Sequence, residues 1–250
     1  MDGPLAGRRA LVTGGAAGIG GAIAVALARA GADVGLTYLT HDPAKVVAQI
    51  EEAGRRAAPR QLDARRSWEV DEAVAGVADE LGGLDVLVNN VGGLVQRRAF
   101  AATDDAALHR VLDVNLASAL YTSRSALRFL PDGGRIVSVG AQAGRGGGGT
   151  GSVVYATAKA ALEGFTRALA RELGPRAITV NLVAPGFVAG TPMHAEHTPD
   201  AAQRAAVATT VLGAPGTPED VAAAVVYLAS PGARYVTGTV LDVNGGARFS

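Results

Sequence analysis

The 250-residue chain has no cysteine, which excludes disulfide bonds, thiolate metal sites and a cysteine nucleophile. Lysine is nearly absent too, because only Lys45 and Lys159 among the 23 basic residues are lysines and the other 21 are arginines. The 23 acidic residues bring the formal net charge to zero, which argues against a nucleic-acid-binding protein that depends on phosphate neutralisation. Aromatic residues make up 4%, whereas 48% of the chain is hydrophobic, a composition typical of a folded globular protein.

Charge is missing from residues 10–28, which follow the pair Arg8 and Arg9. Such a stretch is typical of a signal peptide or a short membrane span. It also contains five glycines and Thr13, which weaken a membrane helix. A buried strand, a glycine turn and a buried helix explain the stretch better, and we therefore expect a cytoplasmic protein with no membrane segment.

Short apolar runs alternate with longer segments of helical character along the chain. Several of these runs are continuous, which is typical of strands covered on both faces. Repetition of strand, helix and strand implies a parallel sheet flanked by helices. The predicted strands are Arg9–Val12, Val34–Tyr38, Ala58–Leu62, Leu84–Val88, Arg135–Val139, Ile178–Val183 and Thr239–Val243. The predicted helices are Ile19–Ala30, Pro43–Ala53, Ser67–Leu81, Asp104–Leu130, Val154–Leu173 and Pro218–Ala229.

Two irregular segments interrupt this alternation. Residues 140–152 are rich in glycine, and residues 184–217 mix proline, glycine, histidine and threonine around one short helix predicted at Pro199–Thr210. Both segments follow strand carboxyl ends, where open α/β sheets bind ligands. We expect one domain over residues 1–250, with a substrate lid at about 186–214.

The turn after the first strand runs from Thr13 to Gly20 and reads TGGAAGIG. A glycine turn between a strand and a helix lets backbone N–H groups and the helix N-terminus face a pyrophosphate. Gly14, Gly18 and Gly20 are the positions that this arrangement uses. The pattern therefore predicts an α/β Rossmann fold, with a seven-stranded parallel sheet between helices on both faces.

The end of the second strand lacks the acidic residue that often holds the adenosine ribose in such folds. Tyr38 occupies that position, so no carboxylate would repel a 2′-phosphate, and Thr40 or His41 could donate to one. No arginine clamps this spot, and Ala17 stands where a basic residue could help. The absence of the acid favours NADP(H), with NAD(H) as the alternative.

Six motifs stand in the order typical of the short-chain dehydrogenase/reductase family, and the sequence resembles that family over nearly its whole length. The closest resemblance is to 3-oxoacyl-carrier-protein-reductase-like members, which are ketoreductases and secondary-alcohol dehydrogenases and usually form tetramers. It implies an NADP-dependent oxidoreductase of a small ketone or secondary alcohol, assembled as a homotetramer. The motifs are Thr13–Gly20, Asp63, Asn89-Asn90-Val91-Gly92, Asn115, Tyr155-x-x-x-Lys159 and Pro185-Gly186.

The resemblance also implies which residues hold the cofactor. In the family, residues of these motifs line the pyrophosphate, the adenine, the adenosine ribose and the nicotinamide in turn. Thr191 is expected near the carboxamide, although it sits one place later than the usual threonine. The positions implied are Gly14, Gly18, Ile19 and Gly20 for the pyrophosphate, Asp63 and Ala64 for the adenine, Asn89 and Gly92 for the ribose, and Val183, Pro185, Gly186 and Val188 for the nicotinamide.

Hydride transfer to a ketone requires an acid that protonates the carbonyl oxygen. Tyr155 is of the right type, but the pKa of a free phenol is about 10. Lys159 lies one helical turn later, and its ammonium is expected to lower the phenol pKa. In the family the lysine also bonds the nicotinamide ribose, and Asn115 steadies a water that relays protons to it.

The family expects a serine after the fifth strand, and it is missing here. Alignment on the strand puts Ala141 at that position, whereas counting back from Tyr155 gives Gln142. Three interpretations remain open. Gln142, Thr150 or Ser152 donates instead; or Tyr155 and Lys159 suffice at a rate about 10²–10³ lower; or the scaffold has left redox chemistry for dehydration, cyclisation or cofactor binding.

No metal site is predicted. His194 and His197 lie three residues apart in the 184–217 segment, but the sequence offers no third ligand or rigid support beside them. We interpret both as exposed lid residues.

Overall fold

Seven strands form one parallel sheet in the computed structural model, which describes residues 3–191 and 198–249. The predicted lid includes residues 192–197, with His194 and His197, which lie outside the described residues. Every predicted strand is found, with ends that shift by at most two residues. The strands are β1 (Arg9–Val12), β2 (Asp33–Tyr38), β3 (Ala57–Gln61), β4 (Val86–Asn89), β5 (Arg135–Val139), β6 (Thr179–Pro185) and β7 (Val240–Val243).

The strand order across the sheet is β3-β2-β1-β4-β5-β6-β7, and all neighbouring pairs are parallel. The order reverses between β1 and β4, where an open α/β sheet leaves a crevice at the strand carboxyl ends. The α-helices are α1 (Gly18–Arg29), α2 (Ala44–Glu52), α3 (Ser67–Leu81), α4 (Asp105–Leu112), α5 (Ser118–Ala126), α6 (Ala143–Gly146), α7 (Val153–Leu173), α8 (Asp200–Ala208) and α9 (Pro218–Ala229).

The core lies on both faces of the sheet, because the central strands are covered from both sides. All seven residues of β6 and all four of β4 are buried. One apolar cluster packs α1 and α9 against one face, and a second packs α3 and α7 against the other. The continuous apolar runs of the sequence therefore mark buried parallel strands, as predicted.

The helix predicted over Asp104–Leu130 is helical from Asp105 to Ala126, with a π-helical turn inside it. A π-helical turn at Asp113–Ala117 separates α4 from α5, and α5 ends at Ala126. Such turns add one residue to an α-helix and are frequent at functional sites. In this one the side chain of Asn115 is completely buried.

The described part of the chain contains no helix that is both long and apolar enough to cross a membrane. Within the same residues, no group of three or more His, Asp or Glu side chains could hold a metal ion.

Candidate active site

A cavity of about 610 Å³ opens at the carboxyl ends of the strands, around the point where the strand order reverses. The glycine turn, the end of β2 and the start of α7 all border it. A volume of this size lies in the range of small-molecule and cofactor sites. The predicted site residues that line it are Gly14, Ala17, Gly18, Ile19, Tyr38, His41, Asp63, Ala64, Gly92, Tyr155, Lys159, Pro185, Gly186, Val188 and Thr191.

The glycine turn presents an uncapped helix end to the cavity. Gly14 and Gly18 have φ angles of 64° and 53°, which glycine adopts without strain. The N-cap of α1, Ala17, makes no side-chain capping bond, and the first turn of the helix has no acidic residue. The backbone N–H groups at this end therefore remain available to an anion, as the sequence predicts.

Gly20 does not line the cavity but supports the turn from behind. A Cβ there would come within 2.1 Å of the Gly14 carbonyl oxygen and 2.4 Å of Nδ2 of Asn90. The glycine therefore allows α1 to pack closely against the turn.

Asn90 borders the cavity, and its neighbour Asn89 does not. The Asn90 side chain donates to the carbonyl oxygens of Thr13 and Gly14, at 2.9 and 3.1 Å. Nδ2 of Asn89 donates to Oγ of Ser123 at 2.9 Å, in the protein interior. Of the two asparagines, Asn90 therefore faces the cavity, whereas Asn89, which was predicted to lie along the ribose, does not line it.

The end of β2 borders the cavity through Tyr38 and His41, whereas Thr40 does not line it. Asp63 and Arg65, which follow the neighbouring strand β3, also line the cavity, and Arg65 did not enter the sequence prediction. Nε of Arg65 donates to both carboxylate oxygens of Asp63, at 2.9 and 3.0 Å. This guanidinium holds the pKa of Asp63 below its usual range, and its charge balances the carboxylate.

Tyr155 and Lys159 meet at the opposite end of the cavity. Nζ of Lys159 lies 5.8 Å from the centre of the Tyr155 ring and donates to the Val139 carbonyl oxygen at 3.0 Å. The spacing of four residues places both side chains on one face of α7, as predicted. Lys159 is only 4% exposed.

Burial governs the ionisation of both groups. It raises the pKa of Tyr155 to about 12, because a buried phenolate loses its hydration. It lowers the pKa of Lys159 to about 8, because a buried ammonium loses its hydration. The pKa of Tyr155 is therefore raised, although Lys159 was predicted to lower it. Nζ of Lys159 donates to Val139, and the loss of hydration decides the pKa of the phenol.

Asn115 lies behind the cavity wall rather than in it. Its Oδ1 accepts from the Gly93 N–H at 2.9 Å, while its Nδ2 donates to the carbonyl oxygens of Gly93 and Val111 at 2.8 and 3.0 Å. A Cβ on Gly92 would come within 2.8 Å of Lys159 Nζ and 2.9 Å of Asn115 Oδ1. The asparagine therefore fixes the loop after β4 directly beside the lysine.

The segment after β6 forms the remaining wall through Pro185, Gly186, Val188 and Thr191. Oγ1 of Thr191 donates to the Val188 carbonyl oxygen at 3.4 Å. Val183 lies within β6, is fully buried and does not line the cavity.

Comparison with known proteins identifies the family. The family model described as "Enoyl-(Acyl carrier protein) reductase" matches residues 14–248. The 3-oxoacyl-[acyl-carrier-protein] reductase FabG of Pseudomonas aeruginosa is 41% identical, over 98% of this chain and 99% of that protein. The chain belongs to the short-chain dehydrogenase/reductase family. A second member, the short-chain reductase protein NovJ of Streptomyces niveus, is 41% identical, over 95% of this chain and 92% of that protein.

The solved structures agree with this membership. A short-chain dehydrogenase from Burkholderia cenocepacia, crystallised in complex with NADP, superposes with a TM-score of 0.92 at 42% identity. The match covers 98% of this chain and 99% of that one. The resemblance drawn from the motifs and the predicted Rossmann fold are both confirmed.

This short-chain dehydrogenase/reductase has Ala141 in the cavity wall after β5. Gln142 does not line the cavity, and its Oε1 lies 3.1 Å from the point where a Cβ on Gly186 would stand. Oγ of Ser152 donates to the Gly149 carbonyl oxygen at 2.5 Å, and Thr150 is exposed. Neither Ser152 nor Thr150 lines the cavity, so the structure brings none of the three expected substitute donors into it.

Proposed function

We propose that the protein transfers a hydride between NADP(H) and a ketone or secondary alcohol. One observation carries this proposal: Tyr155 and Lys159 line the same cavity as the glycine turn at Gly14 and Gly18. A proton donor and an anion-binding helix end thus border one continuous space, as a nicotinamide-dependent reductase requires.

The charges along the cavity fit NADP(H) better than NAD(H). Among the described residues of the lining, Asp63 is the one acid, and Arg65 neutralises it. Tyr38 leaves the end of β2 without a carboxylate, and His41 stands beside it. A 2′-phosphate therefore meets no unpaired negative charge there, and the NADP bound by the Burkholderia relative supports the same choice.

Tyr155 is the proton donor in this proposal. NADPH, held by the glycine turn and the segment after β6, would supply the hydride. Tyr155 would give its phenolic proton to the carbonyl oxygen as negative charge develops there. With a pKa raised to about 12 by burial, the phenol is protonated at neutral pH and so holds the proton that the carbonyl oxygen takes up. The Lys159 ammonium then stabilises the phenolate, and Asn115 acts as a positioning residue that holds the Gly93 backbone beside the lysine.

Ala141 leaves the carbonyl oxygen without the usual hydroxyl donor. Since Gln142, Thr150 and Ser152 lie outside the cavity wall, we propose that Tyr155 and Lys159 suffice, at a reduced rate. The same observation favours the second candidate, a non-redox protein on this scaffold such as a dehydratase, a cyclase or a cofactor-binding protein.

We further propose one domain whose segment at about 186–214 covers the substrate, in a cytoplasmic homotetramer. Exposed aromatic side chains support assembly, because Tyr235 and Phe249 are 95% and 79% exposed and a partner subunit would cover them.

NADPH absorbance measured against ketones and β-ketoacyl thioesters tests the proposed function. Substrate-dependent oxidation of NADPH is expected. Binding of NADPH without turnover on any carbonyl compound would instead favour the non-redox candidate.

A further inference from the structure

The loop that follows β4 contains a strained turn beside Tyr155. Val95 has a φ of 61°, in the left-handed region that β-branched residues rarely adopt. The Gln96 N–H donates to the Leu94 carbonyl oxygen at 2.6 Å and closes a γ-turn with Val95 at its centre. A γ-turn with positive φ is rare and strained, so the surrounding structure must hold it in place.

Hydrogen bonds fix the loop on both sides of this turn. On one side, Asn115 bonds both the N–H and the carbonyl oxygen of Gly93. On the other, the Arg98 N–H donates to the Gly151 carbonyl oxygen at 3.1 Å. The turn is therefore held between two fixed backbone positions, Gly93 and Arg98.

The strained turn forms part of the cavity wall near the proton donor. Leu94 and Val95 line the main cavity together with Tyr155 and Ala141. Leu94 and Tyr155 also border a second cavity, of about 20 Å³, which neither Val95 nor Ala141 reaches. The turn therefore lies between the part of the main cavity next to Tyr155 and the second cavity.

We propose that Val95 is a specificity-determining residue. The strained turn holds its isopropyl group in the cavity wall, where it limits the size of the ketone substituent that fits beside Tyr155. Strained backbone positions cluster at functional sites, where the strain holds a group in a required position. The inference rests on the proposed function, since it names the substrates that the same site accepts.

Thermal unfolding of Val95→Gly and Val95→Ala tests the strain. Alanine normally stabilises a protein relative to glycine, but at positive φ the order reverses because only glycine adopts this conformation freely. We expect Val95→Gly to unfold about 2–4 °C above Val95→Ala. If Val95→Ala is the more stable variant, the turn is not strained and the inference fails.

Binding of two ketones tests the specificity without requiring turnover. 2-Octanone and 2-methyl-3-nonanone share a hexyl arm and differ in a methyl or an isopropyl substituent. Their dissociation constants are measured by calorimetry with NADP⁺ present, so that no hydride is available. Val95→Ala and Val95→Gly should improve binding of the isopropyl ketone relative to the methyl ketone about tenfold. Val95→Thr, which keeps the branched shape, should leave the ratio unchanged.

The outcomes separate this inference from the proposed function. An unchanged ratio in the alanine and glycine variants, or no binding of either ketone to any form, overturns the role of Val95. If the ratio of dissociation constants changes as expected while the wild type does not oxidise NADPH, the result supports the role of Val95 and contradicts the proposed reduction.

Discussion

Nζ of Lys159 lies 5.8 Å from the centre of the Tyr155 ring and is bonded to the carbonyl oxygen of Val139. The two side chains share one face of α7, yet burial acts on them in opposite directions, because it disfavours the phenolate of one and the ammonium of the other. The pair is therefore held at a cost in stability.

Replacement of Lys159 by methionine should remove that cost together with the activity. A pKa lowered from 10.5 to about 8 means that the folded state binds the proton of Lys159 less tightly than the unfolded state. The free energy of unfolding therefore falls as pH falls from 10.5 to 8, and the full loss is present below pH 8. At pH 7, Lys159→Met should raise the free energy of unfolding by about 3 kcal/mol.

Urea denaturation at pH 7 and pH 10 measures this effect. Lys45→Met is the matched control, because Lys45 is exposed on α2 and its replacement should leave stability nearly unchanged. If Lys159→Met raises the free energy of unfolding as much at pH 10 as at pH 7, the burial of the ammonium is not the cause.

The ionisation of Lys159 should also appear in the pH profile of ketone reduction. The ammonium is present below about pH 8, so kcat/KM should be flat there and should fall at higher pH as the proton is lost. Labelling of lysine with ¹³C at the ε position gives only two lysine signals, and Lys45→Met assigns them. The Lys159 signal should shift near pH 8, and a signal that stays constant from pH 6 to 9.5 would exclude this cause.

Gly92→Ala should disturb Lys159 directly. The added Cβ would stand 2.8 Å from Nζ and 2.9 Å from Oδ1 of Asn115, so the ammonium must move. A displacement of about 1 Å costs on the order of 10²-fold in rate. Gly164→Ala, on α7 and outside the cavity wall, is the control, because a Cβ at Gly164 meets nothing within 4 Å. Equal kcat values for the two variants would show that the position of Lys159 is not critical.

Ala141→Ser should restore the missing hydroxyl. If Tyr155 and Lys159 work alone, the variant gains a donor for the carbonyl oxygen, and kcat should rise by up to about 10²-fold. Ala143→Ser, on α6 and outside the cavity wall, should have no effect. A neutral or harmful Ala141→Ser, together with a loss of activity in Gln142→Ala, would mean that Gln142 donates instead.

The fold and the ends of the cofactor site could be predicted because their signals are local. A buried strand is visible in the sequence as a mainly apolar stretch such as residues 179–185, and the glycine turn is visible as the motif TGGAAGIG. The π-helical turn could not be predicted, because one extra residue hardly changes the apolar period of a helix.

The structure departs from the predicted cavity lining where neighbouring residues point in different directions. Asn89 is the last residue of β4 and Asn90 the first beyond it, and strand alternation turns only the second towards the cavity. Ala141 lines the cavity and Gln142 does not, because the chain turns into α6 directly after Gln142. Arg65 belongs to none of the sequence motifs, and its place at the site follows only from its hydrogen bonds to Asp63 in the structure.

The variant Tyr155→Phe tests directly whether Tyr155 is the proton donor in ketone reduction. The variant removes only the phenolic hydroxyl, and Tyr227→Phe serves as the control because Tyr227 is exposed and lies outside the cavity wall. NADPH oxidation is followed with the best ketone of the panel, and NADPH binding is measured alongside. We expect Tyr155→Phe to lose at least about 10²-fold in kcat and still to bind NADPH. Unchanged turnover in this variant would contradict the assignment of Tyr155 as the proton donor.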